Sequence, residues 1–144
     1  MRVRDILAHK GSAVVTVRPN ATCRELLGIL SQHNIGAVVV SPDGVTVAGI
    51  VSERDVVRRL HDRGAVVLDG PVSEIATTVV ETCGMDDPVD ELRGTMTRLR
   101  IRHIPVLSKG LLVGIVSIGD VVKARIMEQE TEVDSLRAYV AGAS

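Results

Sequence analysis

The chain has 144 residues, 45% of them apolar and 24% charged, with a formal net charge of −1. That balance suits one compact domain or two small units sharing a core, and is too apolar for a disordered chain. The near-neutral charge excludes a general nucleic-acid binder with a basic stripe, and with no Trp, no Phe and one tyrosine (Tyr139) the rings for base stacking are missing.

From the start, residues 1–10 hold no apolar run long enough for a signal peptide, and nowhere do 18 apolar residues follow one another, so no membrane span is expected. An amphipathic opening at 3–8 leads to a short β stretch at 14–17. Thr22-Cys23-Arg24-Glu25 then forms a capping box ahead of Leu26, Leu27, Ile29 and Leu30, which predicts a helix. Two apolar strands at 37–40 and 45–51 flank the turn Ser41-Pro42-Asp43-Gly44, and a helix starts at Ser52. Residues 61–70 read as a connector.

The second half takes the same course. An opening at 72–76 precedes a β stretch at 79–82, and Asp87 is placed to cap a helix with Pro88 at its first position. Leu92, Met96 and Leu99 share that helix's apolar face. Strands at 104–107 and 111–116 flank Ser108-Lys109-Gly110, and a helix starts at Ser117. With Val121, Val122 and Ile126 leading, it can run to Tyr139. Val133, Leu136 and Val140 continue a thin apolar stripe among Glu128, Glu130, Glu132 and Asp134. Such a stripe either folds back on its own chain or meets a second copy.

The two halves are copies. Gly49-Ile50-Val51-Ser52-Glu53-Arg54-Asp55-Val56-Val57 and Gly114-Ile115-Val116-Ser117-Ile118-Gly119-Asp120-Val121-Val122 agree at seven of nine positions. Upstream, residues 34–40 align with 100–106, and Glu25-Leu26 with Glu91-Leu92. One copy of about 60 residues is near the lower limit for folding alone, so the apolar sheet faces are expected to cover each other.

The repeated Ser-x-x-Asp stands where a strand enters a helix. Read structurally, it is a capping box, the serine satisfying an orphan N–H and the acid facing the positive helix end. Read functionally, the helix N-terminus attracts phosphate and the carboxylate accepts the two hydroxyls of a ribose. Both readings stay open at this point.

These stretches, with Ile-Arg-His-Ile-Pro-Val at 101–106, resemble a tandem pair of CBS domains, the Bateman module, over residues 3–127. The resemblance implies an α+β fold of two pseudo-symmetric βαββα units packed sheet to sheet (1–64 and 65–127) with a C-terminal helical tail at 128–144. It implies an adenosine-type ligand between the repeats: AMP, ADP, ATP or NAD, with S-adenosylmethionine in some relatives. One cleft would take Asp120 for the ribose and Ser117 near phosphate, with Ile115 leading in and Val15, Ile35, Gly36 and Ala37 lining the adenine pocket. The mirror cleft would take Asp55, Ser52 and Ile50 with Ile101, Arg102 and His103, where Arg102, His103 and Arg54 are candidates for charge contacts. Because Gly36-Ala37 stands where the other copy has Arg102-His103, the clefts are expected to differ.

No other residue set announces chemistry. Cys23 and Cys83 are lone cysteines, read as buried thiols of a reducing cytoplasm. His9, His33 and His61 lack metal-ligand spacing, and Asp86-Asp87 and Glu128 to Glu132 read as solvated caps and faces. Neither a Walker-type phosphate loop nor a local catalytic triad motif is present. The expectation is a regulatory, non-enzymatic, cytoplasmic homodimer that senses an adenine nucleotide and signals to an unidentified protein, or else a constitutive interaction module with empty clefts.

Overall fold

Thr22 opens the first long helix through reciprocal bonds. In the computed structural model, which describes residues 1–142, Thr22 Oγ1 accepts the Glu25 N–H at 3.1 Å and Glu25 Oε2 accepts the Thr22 N–H at 3.3 Å. The helix so capped, α2 (Cys23–His33), buries Cys23, Leu26 and Leu30, one face at helical spacing. Before it come α1 (Val3–Lys10) and β1 (Thr16–Val17); after it come β2 (Ala37–Val40), β3 (Gly49–Ser52) and α3 (Glu53–Arg63). Two 3₁₀ segments, Ala65–Asp69 and Val72–Glu74, lead into the second unit. That unit runs β4 (Cys83–Gly84), α4 (Val89–Leu99), β5 (His103–Ser108), β6 (Leu111–Ser117) and α5 (Ile118–Gly142).

Each unit holds a three-stranded sheet, β1-β2-β3 or β4-β5-β6. In both, the first pair is parallel and the second antiparallel. The fold is therefore α+β, two pseudo-symmetric units packed sheet to sheet with a helical extension at the C-terminus. Between the units, Ile50 and Thr77 exchange backbone bonds at 2.9 Å, and the Leu112 N–H donates to the Val45 carbonyl at 2.8 Å.

The units also trade their opening segments. Val3, Ile6 and Leu7 of α1 lie in the core formed by Leu92, Met96, Ile104, Val116 and Val121 of the second unit. Val72 and Ile75 fill the first unit's core beside Leu26, Leu30, Val38 and Val51. Burying each aliphatic side chain stabilises by about 1.5–3 kcal/mol, and here every such contact crosses between repeats. This exchange explains the two glycines that open the repeated motifs. A Cβ on Gly49 would lie 2.9 Å from the Thr77 carbonyl oxygen, and one on Gly114 would lie 2.7 Å from Leu7 Cδ2. The crossing segments need bare backbone there.

Several local expectations shift. The β stretch read at 79–82 is instead Cys83–Gly84, and Val79 is 90% exposed. Two adjacent valines mimic a strand, but the parallel register falls where Cys83 is buried opposite Val106. Asp87 does not cap α4: its Oδ2 accepts the Gly84 N–H at 2.9 Å, which leaves Pro88 as N-cap. The strand read at 45–51 shortens to Gly49–Ser52, because Asp43 Oδ1 draws the Val45 and Thr46 N–H groups into the turn at 3.0 and 2.8 Å. In the second unit Lys109 and Gly110 both take positive φ (53° and 79°), so the hairpin stays tight and its strands run longer. The last helix is one element from Ile118 to Gly142, and every described residue past Glu128 is exposed.

Candidate functional site

Ser52 stands where β3 turns into α3, and its surroundings follow from the capping box. Its Oγ accepts the Asp55 N–H at 3.3 Å, while Asp55 Oδ2 accepts the Ser52 N–H at 2.8 Å and the Ser52 hydroxyl at 3.0 Å. These bonds hold the carboxylate in one rotamer. Asp55 Oδ1 takes no hydrogen bond from the described residues. The capping reading of the motif is met by this geometry: the carboxylate caps its helix with Oδ2, and Oδ1 is not engaged in the cap.

That free edge borders a cavity of about 680 Å³, within the usual range for small-molecule sites. Ile50, Ser52, Arg54 and Asp55 line it from the first unit. Ile101, Arg102 and His103 line it from the second, where Arg100 adopts a left-handed conformation (φ 55°) to turn the chain from α4 into β5. Every residue expected in this cleft is there. Sequence reasoning missed Arg58, Arg100, Glu53 and Thr77, which also line the cavity. Four arginines against two carboxylates give it a cationic balance suited to an anionic ligand. The helix end contributes less than expected, because the Glu53 N–H already donates to the Gly36 carbonyl at 3.0 Å and the Asp55 N–H to Ser52.

Gly36 and Arg102 are true equivalents. The Glu53 N–H donates to the Gly36 carbonyl, and the Ile118 N–H donates to the Arg102 carbonyl at 2.8 Å. The asymmetry expected between the copies is therefore placed at one backbone position.

At the second motif the same cap forms. Asp120 Oδ2 accepts the Ser117 N–H at 2.8 Å, and Ser117 Oγ accepts the Asp120 N–H at 3.1 Å. Here, however, Lys10 Nζ donates to Asp120 Oδ2 at 2.7 Å and to the Ile115 carbonyl at 2.9 Å. Beside Asp120 lies only a hollow of about 60 Å³ between α1 and α5, bordered by Ile6, His9, Lys10, Lys123 and Ala124. The lining expected for this cleft lies elsewhere: Gly36 and Ala37 border the Asp55 cavity, while Val15 and Ile35 pack against the first unit's core. The signal available in the sequence was a lysine at the end of the first opening with no counterpart after the second, where Thr77-Thr78-Val79-Val80 stands.

Burial works to raise the Asp120 carboxyl, but the Lys10 ammonium and the Ser117 N–H outweigh it and hold the group below the usual carboxylate range. His103 lies between the two motifs. Burial lowers its imidazole from the ordinary value of 6.5, assisted by Lys10 and Arg102 and opposed by Asp120 and Glu53. Burial likewise pushes the Cys83 thiol up to about 12, so it stays protonated and unreactive. Among the described residues no group of three His, Cys, Asp or Glu could hold a metal ion, and no helix is long and apolar enough to cross a membrane.

Comparison with known proteins bears on this geometry. The CBS domain model matches residues 3–62 and 72–126. The chain is 33% identical over 148 residues to the mitochondrial CBS domain-containing protein CBSX3 of Arabidopsis thaliana, covering 97% of this chain and 72% of that protein. The crystal structure of the CBS-domain containing protein ATU1752 from Agrobacterium tumefaciens superposes with a TM-score of 0.84 at 47% identity, over 87% of this chain and 99% of that one. The CBS domain protein PAE2072 from Pyrobaculum aerophilum, complexed with AMP, matches at TM-score 0.73 and 34% identity, over 83% and 89% of the two chains.

Proposed function

Because the chain belongs to the CBS domain family, with two copies of the domain in tandem, we propose that it is a regulatory module that binds an adenosine-type ligand between its repeats. AMP, ADP, ATP and NAD are the ligands the cleft suits. The carrying observation is the cavity that brings Ser52 and Asp55 of one unit opposite Arg102 and His103 of the other. Asp55 Oδ1 would accept the ribose hydroxyls, and Arg54, Arg102 and His103 would face the phosphate. A similar chain that was crystallised with AMP supports the ligand class. In this reading the chain is no enzyme: it works in the reducing cytoplasm as a homodimer, with repeats at 1–64 and 65–127, and a partner protein reads the change that occupancy makes. The ligand shifts that equilibrium only by its difference in affinity for the two states.

Calorimetry of the full chain with AMP, ADP, ATP, NAD and S-adenosylmethionine tests the proposal. Asp55→Ala is expected to weaken binding at least tenfold, about 1.4 kcal/mol. If Asp55→Ala and Asp120→Ala together leave affinity unchanged, the ribose assignment is wrong.

The second reading, a constitutive interaction module with empty clefts, draws on the full engagement of both serines in helix caps. It differs in one measurable respect. A ligand at a hundred times its Kd adds about 2.7 kcal/mol of stability, so an unmoved melting curve with all five ligands selects the empty module.

A further inference from the structure

The outer half of α5 has an apolar face that its own chain leaves bare. Val121 and Ala124 are the helix's buried residues. Val122, Ile126, Val133, Leu136 and Val140 are all about half or more exposed. At about 3.6 residues per turn these five, with Gln129, fall within one narrow stripe. Their spacing is that of a heptad repeat: Ile126, Val133 and Val140 at the a positions, Val122, Gln129 and Leu136 at d. Among parallel coiled coils, β-branched residues at a with leucine at d favour two strands; here every a residue is β-branched and Leu136 is one of the three d residues. Helices in proteins draw most of their stability from packing an apolar face, so a bare stripe calls for a partner.

Charge identifies the partner. Arg125 and Glu132 fall at g, Glu130 and Arg137 at the following e. In a parallel pair in register, each g residue meets the e residue five positions on in the other strand. Arg125 then faces Glu130 and Glu132 faces Arg137, twice each by symmetry. In the antiparallel alignment that buries the same stripe, Glu130 meets Glu130, Glu132 meets Glu132 and Lys123 meets Arg137. Attraction serves the parallel arrangement, and repulsion disfavours the other. Within its own chain Arg125 lies 3.7 Å from Glu128, an exposed contact on the same helix that a stronger pair can replace.

We propose that α5 zips two copies of this chain together as a parallel, in-register coiled coil through Val122, Ile126, Val133, Leu136 and Val140. This deepens the dimeric part of the proposed function and is independent of the ligand. Both modules emerge from the same end of the zipper, which sets their clefts side by side about one two-fold axis.

Light scattering and oxidative cross-linking of the full chain provide the test. Wild type has the mass of two chains. Val140→Cys cross-links to itself without added linker in the parallel pair, whereas antiparallel strands hold the two copies about 27 Å apart along the axis. The native Cys23 and Cys83 are buried and do not compete. Glu132→Arg places two arginines opposite each other, and Arg137→Glu two glutamates. Each variant alone is expected to dimerise at least tenfold more weakly than wild type, and an equimolar mixture to recover as a heterodimer in native mass spectrometry. A wild-type mass of one chain overturns both this zipper and the homodimer. A mass of two chains without the Val140→Cys cross-link, or without recovery in the mixture, overturns the zipper and leaves a dimer through another face.

Discussion

Lys10 Nζ sits 2.7 Å from Asp120 Oδ2, the oxygen that also caps the second motif's helix, and so places a cation on the carboxylate that the motif would offer to a sugar. Among the described residues the first motif has no such occupant: the Ile50 carbonyl, equivalent to that of Ile115, is taken by the Thr77 backbone, and Asp55 bonds to Ser52. A side chain from the exchanged opening helix thus breaks the symmetry of the repeats.

Removing that cation should open the second site. Lys10→Met is expected to cost about 1 kcal/mol, as for a partly exposed ion pair. It should raise the calorimetric stoichiometry from one adenosine-type ligand per chain to two. A stoichiometry that stays at one would show that more than Lys10 closes the hollow.

The motif glycines should resist substitution in proportion to what they touch. Gly49→Ala drives a Cβ to 2.9 Å from a backbone oxygen and is expected to destabilise by about 1–3 kcal/mol. Gly114→Ala meets the movable tip of Leu7 and should cost less. Gly28→Ala, in α2 with nothing within 4 Å, should gain about 0.5–1 kcal/mol through helix propensity. Urea unfolding of the three variants checks the order.

His103 should make stability fall on mild acidification. Its folded value lies below the ordinary 6.5, so the unfolded chain takes up the proton first as pH drops past 6.5, and stability declines from there downward. His103→Gln should flatten that slope in thermal melts. A phosphate bound beside His103 would favour the protonated ring. Binding heats at pH 6 should therefore depend on the buffer's ionisation enthalpy in wild type and not in the variant.

Asp43 should contribute at the acid end. The Val45 and Thr46 N–H groups hold its carboxyl down at about 2 against the ordinary 3.8. Its contribution is complete above about pH 4 and disappears as pH falls towards 2. Asp43→Ala should lower Tm at neutral pH by a few degrees and lessen the loss of stability between those values. The turn holds Val45 at its bond to Leu112, so the variant should also speed hydrogen exchange at the Leu112 amide.

Much of this was legible in the chain alone. The repeated Gly-Ile-Val-Ser-x-x-Asp, the capping box at Thr22 and the aliphatic periodicity depend on neighbours in sequence, and local hydrogen bonding and burial act at that range. The duplication led to two units that cover each other's sheets, whereas the pairing of Ser52 and Asp55 with Arg102 and His103 came only from the resemblance to tandem CBS domains. Residues whose role depends on distant backbone could not be read. Asp87 turned from its helix to Gly84, Cys83 took the strand register expected at 79–82, and α1 crossed into the other unit's core, carrying Lys10 onto Asp120. Tertiary packing made those choices, because a side chain's nearest competing partner is set by where the chain returns, which periodicity does not encode.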